Sequence, residues 1–133
     1  MATFKKFEDI ECWQKARQLT SRIYKLSGRA AFARDFGLKD QIRRASVSIM
    51  SNIAEGYDRS GTAEFIHFLA MAKGSAAEVR CQLYVAADLE YLEERDFDEL
   101  IALAAETGRM TGGLIKYLRT AGHKGSKYKT SAS

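Results

Sequence analysis

Glu64 and His67 come nearest to catalytic chemistry in this sequence, since they stand three residues apart in the segment EFIH. On a helix this spacing places a carboxylate and an imidazole on one face, as in the di-iron sites of helical bundles. Those sites need two such pairs and two further glutamates. The only other histidine, His123, has Thr120 three residues before it, so a second pair is missing. We therefore predict no metal site and interpret His67 as an exposed residue near the start of a helix.

Glu55 and Glu78 are the second candidates, as a paired acid and base inside a helical bundle. A buried carboxylate is normally hydrogen-bonded or charge-paired, and we expect Arg44 beside Glu55 and Arg80 beside Glu78. The interpretation we favour is a structural polar network, with catalysis and contact with a ligand as the alternatives. The predicted network consists of Gln41, Arg44, Ser48, Asn52, Glu55, Ser75, Glu78 and Gln82.

Gly74 and Ser75 stand in the middle of a predicted helix, without the preceding strand and loop of a phosphate-binding motif. No nucleophile, base and acid can be named together. The sequence thus predicts a protein that is not an enzyme, has no catalytic residues and needs no cofactor.

Basic side chains are the stronger indication of function. Lysines and arginines that neutralise phosphates release counterions and give a salt-sensitive affinity, and aromatic rings stack on unpaired bases. Tyr117 and Tyr128 are interleaved with the basic residues of the C-terminus. The candidates for nucleic-acid binding are Arg34, Lys39, Arg43, Arg44, Arg59, Lys116, Arg119, Lys124, Lys127 and Lys129. The simpler alternative is a set of solvated helix faces and a tail that serves solubility.

Charge is distributed unevenly along the chain. The net charge is +4 and the isoelectric point is near 9.1. Residues 1–59 carry 12 basic and 7 acidic residues, residues 60–110 carry 4 and 10, and residues 111–133 carry 5 and none. This polarity suits an anionic partner at one end of the molecule, or head-to-tail contact between like subunits.

The composition favours an all-α protein. The 133 residues include no proline, and contents of 46% hydrophobic and 29% charged residues are ordinary for one folded domain. Cys12 and Cys81 lie far apart without metal-ligand spacing, so we expect reduced thiols and a cytoplasmic location. Neither a signal peptide nor a membrane span is predicted.

Hydrophobic periodicity predicts four helices, at about residues 9–27, 36–57, 62–90 and 96–119. Short connections between amphipathic helices indicate an antiparallel up-down-up-down four-helix bundle that spans residues 1–121. Residues 122–133 are predicted to form a flexible basic tail. Asp9 and Thr62 are the predicted N-caps of the first and third helices, and the D-x-x-E motif at Asp96 predicts a capping box for the fourth.

The second helix is apolar on too much of its circumference for an ordinary surface helix. Its inner stripe consists of Leu38, Ile42, Ala45, Ile49 and Ile53. Val47, Met50 and Ala54 lie outside this stripe and away from the polar line. We predict that these three residues meet a second copy of the chain, because an exposed apolar patch favours association.

The segments QIRRASVSIMSNIAEG (residues 41–56) and EFIHFLAMAKGSAAEVRCQL (residues 64–83), with Arg59 between them, resemble the proteins encoded by intervening sequences in bacterial 23S ribosomal RNA genes. The resemblance extends over about residues 7–118 and implies an antiparallel four-helix bundle. It also implies homopentameric rings, and similarity to the accessory protein of diversity-generating retroelements, which presents a basic surface to nucleic acid and reverse transcriptase. The family often has proline where this chain has Met50, so a kink that the family has in the second helix is not carried over to this chain.

The residues and the resemblance together predict a cytoplasmic, homo-oligomeric and pentameric bundle that binds structured RNA or other nucleic acid. The alternative is a protein-interaction scaffold, or an accessory subunit, that holds a protein partner through the acidic segment 88–99 and the basic surface. No contact with a membrane is expected.

Overall fold

The computed structural model describes residues 4–122, and these form five α-helices and one short 3-10 helix. In chain order they are the 3-10 helix Phe7–Asp9, α1 Glu11–Ser27, α2 Ala30–Arg34, α3 Phe36–Asp58, α4 Thr62–Asp88 and α5 Glu94–Gly122. No strand occurs between residues 4 and 122. The prediction of an all-α protein is confirmed. Gly122 ends α5, and the rest of the predicted tail, with Lys124, Lys127 and Lys129, lies outside the described residues.

The four long helices form a ring in which each packs against two others. α3 lies between α1 and α4, and α5 lies between α4 and α1. Ser48 contacts Ser75 and Gln41 contacts Gln82, so residue numbers rise along α3 while they fall along α4. The other three neighbouring pairs also run in opposite directions. The predicted antiparallel four-helix bundle is therefore the observed architecture.

The interior of the ring is filled by the apolar stripes that the periodicity predicts. Leu19 of α1, Ile49 of α3, Leu69 of α4 and Leu118 of α5 are each completely buried. Burial of one such side chain contributes about 1.5–3 kcal/mol. The core therefore supplies most of the free energy that holds the four helices together.

The contact between α1 and α5 closes the ring through charged side chains. Arg22 binds Glu99 and lies 3.6 Å from Asp96, and Lys15 lies 3.8 Å from Glu106. A groove of about 760 Å³ runs along this contact. The ion-pairing side chains at its two ends are 21–55% exposed, so each pair contributes at most about 1 kcal/mol.

Two predicted N-caps are wrong. Ile10 precedes α1, while the Asp9 carboxylate accepts a hydrogen bond from the Lys5 backbone N–H at 3.0 Å and so closes the preceding 3-10 turn. Gly61 precedes α4, and Thr62 is the first residue of that helix. Thr62 is buried, and its hydroxyl has no hydrogen-bond partner in the described part of the chain. Thr62 thus lies in the first turn of α4 and makes no capping hydrogen bond to any described residue.

The predicted capping box at Asp96 is also wrong, because α5 begins two residues earlier, at Glu94. The helix then continues through Gly108 and Gly112. Packing against α4 outweighs the roughly 1 kcal/mol that each glycine costs a helix. A Cβ atom at Gly108 would lie 3.9 Å from Ala76 Cβ, which is an ordinary van der Waals contact.

The connection between the first two predicted helices contains a helix of its own. α2 is five residues long and carries Phe32, which is 2% exposed and stacks on Tyr91 with 5.3 Å between ring centroids. The Tyr91 hydroxyl donates a hydrogen bond to Asp35 at 2.9 Å, and this bond raises the pKa of Tyr91. α2 thus joins α1 to α3 and covers the end of the core.

The second predicted helix, α3, is covered on two sides by its own bundle, since it lies between α1 and α4. Met50 packs partly against the core, and Ala54 is half-buried. Val47 is 38% exposed. Its two neighbouring helices therefore account for much of the apolar circumference of α3, and a contact of Val47, Met50 and Ala54 with a second copy stays a prediction.

Gly56 provides a test of the close contact between α3 and α4. A Cβ atom at this position would lie 2.6 Å from Phe68 Cβ and 3.1 Å from Phe65 Cδ1. Because the nearer atom is fixed to the backbone, we expect Gly56→Ala to lower the free energy of unfolding by about 1–3 kcal/mol. Urea denaturation measures this change.

The matched control is Gly113→Ala, at a helical position where a Cβ atom would meet nothing within 4 Å. This substitution should raise the free energy of unfolding by about 0.5–1 kcal/mol. Equal effects of the two substitutions would contradict the close contact.

Candidate nucleic-acid interface

Two of the predicted basic residues, Arg44 on α3 and Arg59 just after it, form ion pairs with carboxylates of the chain. Arg44 Nε lies 2.9 Å from Asp40 Oδ2, and Arg59 Nη2 lies 2.8 Å from Glu55 Oε2. The Asp40 hydrogen bond raises the pKa of Arg44, and the Glu55 hydrogen bond raises that of Arg59. Arg59 also lies 4.0 Å from Glu64. A phosphate at either arginine would have to compete with a carboxylate that is already in place.

The predicted charge partners of the two glutamates are wrong. Arg44 and Glu55 are three helical turns apart on α3, a distance of about 16 Å along the axis. Glu78 and Arg80 are two residues apart on α4, so they point to different faces. The observed ion pairs have the i,i+4 spacing that brings two side chains together on one helix.

Arg43 has a structural role between α1 and α3. Its Nε donates a hydrogen bond to Ser27 Oγ at 2.8 Å, and its Nη2 donates one to the Tyr24 carbonyl oxygen at 3.1 Å. The guanidinium also lies over the Tyr24 ring, 4.4 Å from its centroid. Ser27 is completely buried, so this arginine satisfies a polar group inside the bundle.

Arg34 and Lys39 lie at the end of the bundle where α2 meets α3. Lys39 stands over the Phe36 ring at 5.1 Å, and Phe36 is 72% exposed. Asp35 and Asp40 are near them in the chain, so this end of the bundle carries charges of both signs.

A different set of basic residues lines the groove between α4 and α5, which we call the α4–α5 groove. Lys73 and Arg80 stand on its α4 wall and Arg109 on its α5 wall. Its volume is about 430 Å³, and its other lining residues are all alanine or glycine: Ala76, Ala77, Ala104, Ala105, Gly108 and Gly112. Small residues leave the groove open because they carry no side chain that would fill it.

Lys116 and Arg119 extend the basic wall of α5 beyond Arg109. Residues seven apart on a helix lie on the same face at a spacing of about 10 Å, which places Lys116 two turns beyond Arg109. None of the five basic side chains of this region forms an ion pair within residues 4–122: Lys73, Arg80, Arg109, Lys116 and Arg119. The α4–α5 groove thus presents cations that no carboxylate of the described chain neutralises.

The predicted polar network exists in part, between α3 and α4. The Ser48 and Ser75 hydroxyl oxygens are 3.1 Å apart, and Asn52 Nδ2 donates to both Ser48 oxygens. Gln82 Nε2 lies 3.5 Å from both Gln41 Oε1 and Glu78 Oε2. Arg44 and Glu55 are not part of it, because each pairs with an opposite charge four residues away.

The remaining candidates for chemistry lie apart from one another. His67 is exposed and its ring contacts Phe68, while Glu64 faces Arg59. In the described range, no three histidine, cysteine or acidic side chains gather at a point that could hold a metal ion.

The two cysteines differ in their surroundings. Burial raises the pKa of Cys12 to about 11, although a hydrogen bond with Thr111 acts in the opposite direction, and Cys81 is an exposed free thiol. None of the helices between residues 4 and 122 has the length and apolarity needed to cross a membrane.

A family model described as 23S rRNA-intervening sequence protein matches residues 8–113, which reach into all four long helices. The chain belongs to the 23S rRNA-intervening sequence protein family. The resemblance of the segments 41–56 and 64–83 to this family is thereby confirmed.

One solved structure is similar to this 23S rRNA-intervening sequence protein over most of its length. It is a protein of unknown function from the S23 ribosomal protein family of Bacteroides thetaiotaomicron, with 25% sequence identity and a TM-score of 0.73. The similarity covers 79% of this chain and 98% of that one. No curated protein matches the chain. Membership of the family therefore defines the fold, and the charges on the surface are the remaining evidence on function.

In this 23S rRNA-intervening sequence protein the predicted basic residues do not form one surface. Lys116 and Arg119 join the α4–α5 groove, whereas Arg43, Arg44 and Arg59 already bind groups of the chain itself. Sequence reasoning missed Lys73, Arg80 and Arg109, because they are isolated in a stretch with an acidic excess. Their signal was the seven-residue spacing from Lys73 to Arg80 and from Arg109 to Lys116.

Arg43→Ala tests the structural role of that arginine. The substitution removes two hydrogen bonds and a cation–π contact and leaves the buried Ser27 hydroxyl without this donor, so it should lower the free energy of unfolding by about 1–3 kcal/mol. Lys116→Ala, on the exposed wall of α5, should change it by less than about 0.5 kcal/mol. Thermal unfolding of both variants measures the difference, and a stable Arg43→Ala protein would return Arg43 to the candidates for nucleic-acid binding.

Proposed function

We propose that this protein is a non-enzymatic, cytoplasmic and homo-oligomeric helical bundle that binds nucleic acid through the α4–α5 groove. The observation that carries the proposal is that Lys73, Arg80 and Arg109 form no ion pair in the described structure. They stand on the two walls of a groove whose other lining residues are alanine and glycine. The family description refers to sequences in 23S rRNA and names no bound molecule. The proposal therefore rests on the charge and shape of the groove.

Phosphates fit this groove for two physical reasons. Cations without a carboxylate partner bind a phosphate without first breaking an ion pair, and each bound phosphate releases counterions from the nucleic acid. Alanine and glycine side chains allow a backbone to approach the helices closely. A phosphate that binds Arg44 or Arg59, in contrast, would have to replace the carboxylate with which that arginine is already paired.

Charge reversal across the groove tests nucleic-acid binding. We expect Lys73→Glu combined with Arg109→Glu to weaken binding of a labelled RNA by about tenfold or more in fluorescence anisotropy, because attraction to two phosphates becomes repulsion. The slope of log affinity against log salt should fall by roughly 0.7–0.9 for each phosphate that the protein no longer neutralises.

A matched control reverses the same charge elsewhere, by Lys25→Glu combined with Arg34→Glu on α1 and α2. This control should retain most of the affinity. Equal weakening in the two double variants would contradict a specific role for the groove. Absence of any binding by the wild-type protein at about 50 mM salt would contradict nucleic-acid binding altogether.

Homo-oligomerisation, as the pentamer that the resemblance implies, is the second part of the proposal. It is supported by two exposed apolar side chains on one face of α4, Met71 and Val85, which are each 43% exposed. Gly74 and Cys81 are exposed on the same face, and Glu78 stands midway between Met71 and Val85. Val47, on α3, is a smaller exposed apolar site. Apolar side chains that recur on one helix face favour contact with another protein surface.

Sedimentation of wild type, Met71→Glu and Val47→Glu tests both candidate interfaces. A charge buried between subunits is strongly unfavourable, so the variant at the true interface should dissociate while the other keeps the wild-type mass. A monomeric wild-type protein at about 10 µM would contradict the oligomer, since association depends on protomer concentration.

A protein-interaction scaffold is the second candidate function. It is favoured by Leu89, which is 50% exposed at the start of the acidic segment 88–99. Capture experiments with and without nuclease separate the two functions, because a partner held through nucleic acid is released by nuclease treatment and a directly bound protein is not.

A further inference from the structure

Tyr84 extends the basic row of α4. Lys73, Ala77, Arg80 and Tyr84 follow one another at intervals of four, three and four residues, so they share one face of the helix. The Tyr84 ring meets the Phe97 ring of α5 edge to face, with 5.3 Å between the centroids and an angle of 69°. Tyr84 is nevertheless 52% exposed. An aromatic ring therefore stands in line with the cations, supported on one side and open to solvent on the other.

The two walls of the groove fit one phosphate backbone. Packed helices have axes about 8–10 Å apart, so the cations of the two walls lie close enough together to contact one strand. A duplex holds its bases paired and stacked inside, whether it is B-form DNA or A-form RNA. The backbone of a duplex would contact the cations from outside the groove, but its paired bases would not stack on the ring of Tyr84.

We propose that the α4–α5 groove binds single-stranded nucleic acid, with phosphates on Lys73, Arg80, Arg109 and Lys116 and an unpaired base stacked on Tyr84. This inference rests on the proposed nucleic-acid binding and specifies its substrate class. A positively charged groove that follows the backbone, together with an aromatic ring for the bases, is how proteins hold single strands with little sequence preference.

The structure also sets the length of the bound strand. Gly112 lies beside Lys73, which places Lys116 about one turn beyond Lys73 along the groove. Tyr84 lies three turns from Lys73 in the other direction, so the path is about 22 Å long. A path of this length falls at the short end of the about 4–16 nucleotides that grooves for single strands hold. The acidic segment 88–99 begins four residues after Tyr84, and its carboxylates disfavour phosphates beyond this ring.

Fluorescence anisotropy with an oligouridylate series and an RNA duplex tests this inference. Affinity of the wild-type protein for the single strand should increase with length until the path is filled, and it should exceed the affinity for a duplex of equal length. Tyr84→Ala should weaken single-strand binding by roughly tenfold to a hundredfold, and Tyr84→Phe should bind as the wild type does.

Two further measurements separate stacking from structural damage. The salt slope of Tyr84→Ala should equal that of the wild type, because the substitution removes no charge, whereas Lys73→Ala should lower the slope by about 0.7. Phe36→Ala removes the exposed ring at the start of α3 and should leave the affinity unchanged.

The outcomes distinguish this inference from the proposed function. Equal binding of single strand and duplex, or full affinity in Tyr84→Ala, would overturn the single-strand inference while nucleic-acid binding stands. Failure of the wild-type protein to bind either probe at low salt would overturn the proposed function itself.

Discussion

The close packing of α4 against both α3 and α5 is the constraint on which the rest of the structure depends. On one side Gly56 leaves room for Phe65 and Phe68, and on the other Gly108 lies against Ala76. A larger residue at Gly56 would push α3 away from α4. Small residues also line the outer edge of the α4–α5 contact. They leave open the groove that we propose as the binding site.

The fold was predictable because its main signal is repetitive. Periodic apolar residues specify α1, α3, α4 and α5, and their burial overrides local preferences at the ends. Thr62 illustrates this, since its preference for a cap position yields to burial as the first residue of α4. α2 escaped prediction because five residues show no period, and Phe32 becomes a core residue only through its contact with Tyr91. Single contacts of this kind depend on tertiary structure.

The site was less predictable than the fold, for an electrostatic reason. A sequence shows how many charges a segment carries but not which of them are already neutralised. Arg44 and Arg59 belong to a basic half of the chain, yet each is bound to a carboxylate four residues away. Lys73 and Arg109 belong to an acidic stretch, yet both face the same groove without an ion pair in the described structure. Net charge along the chain and free charge on the surface are therefore different quantities.

The charged contact between α1 and α5 has a consequence for how the molecule opens. The other interfaces in the ring join helices that are consecutive among the long ones, and this interface joins the first to the last. Its exposed ion pairs are screened by salt, and it closes the longest loop among the four interfaces. Opening of the α1–α5 contact therefore releases more chain entropy than opening of any other interface in the ring.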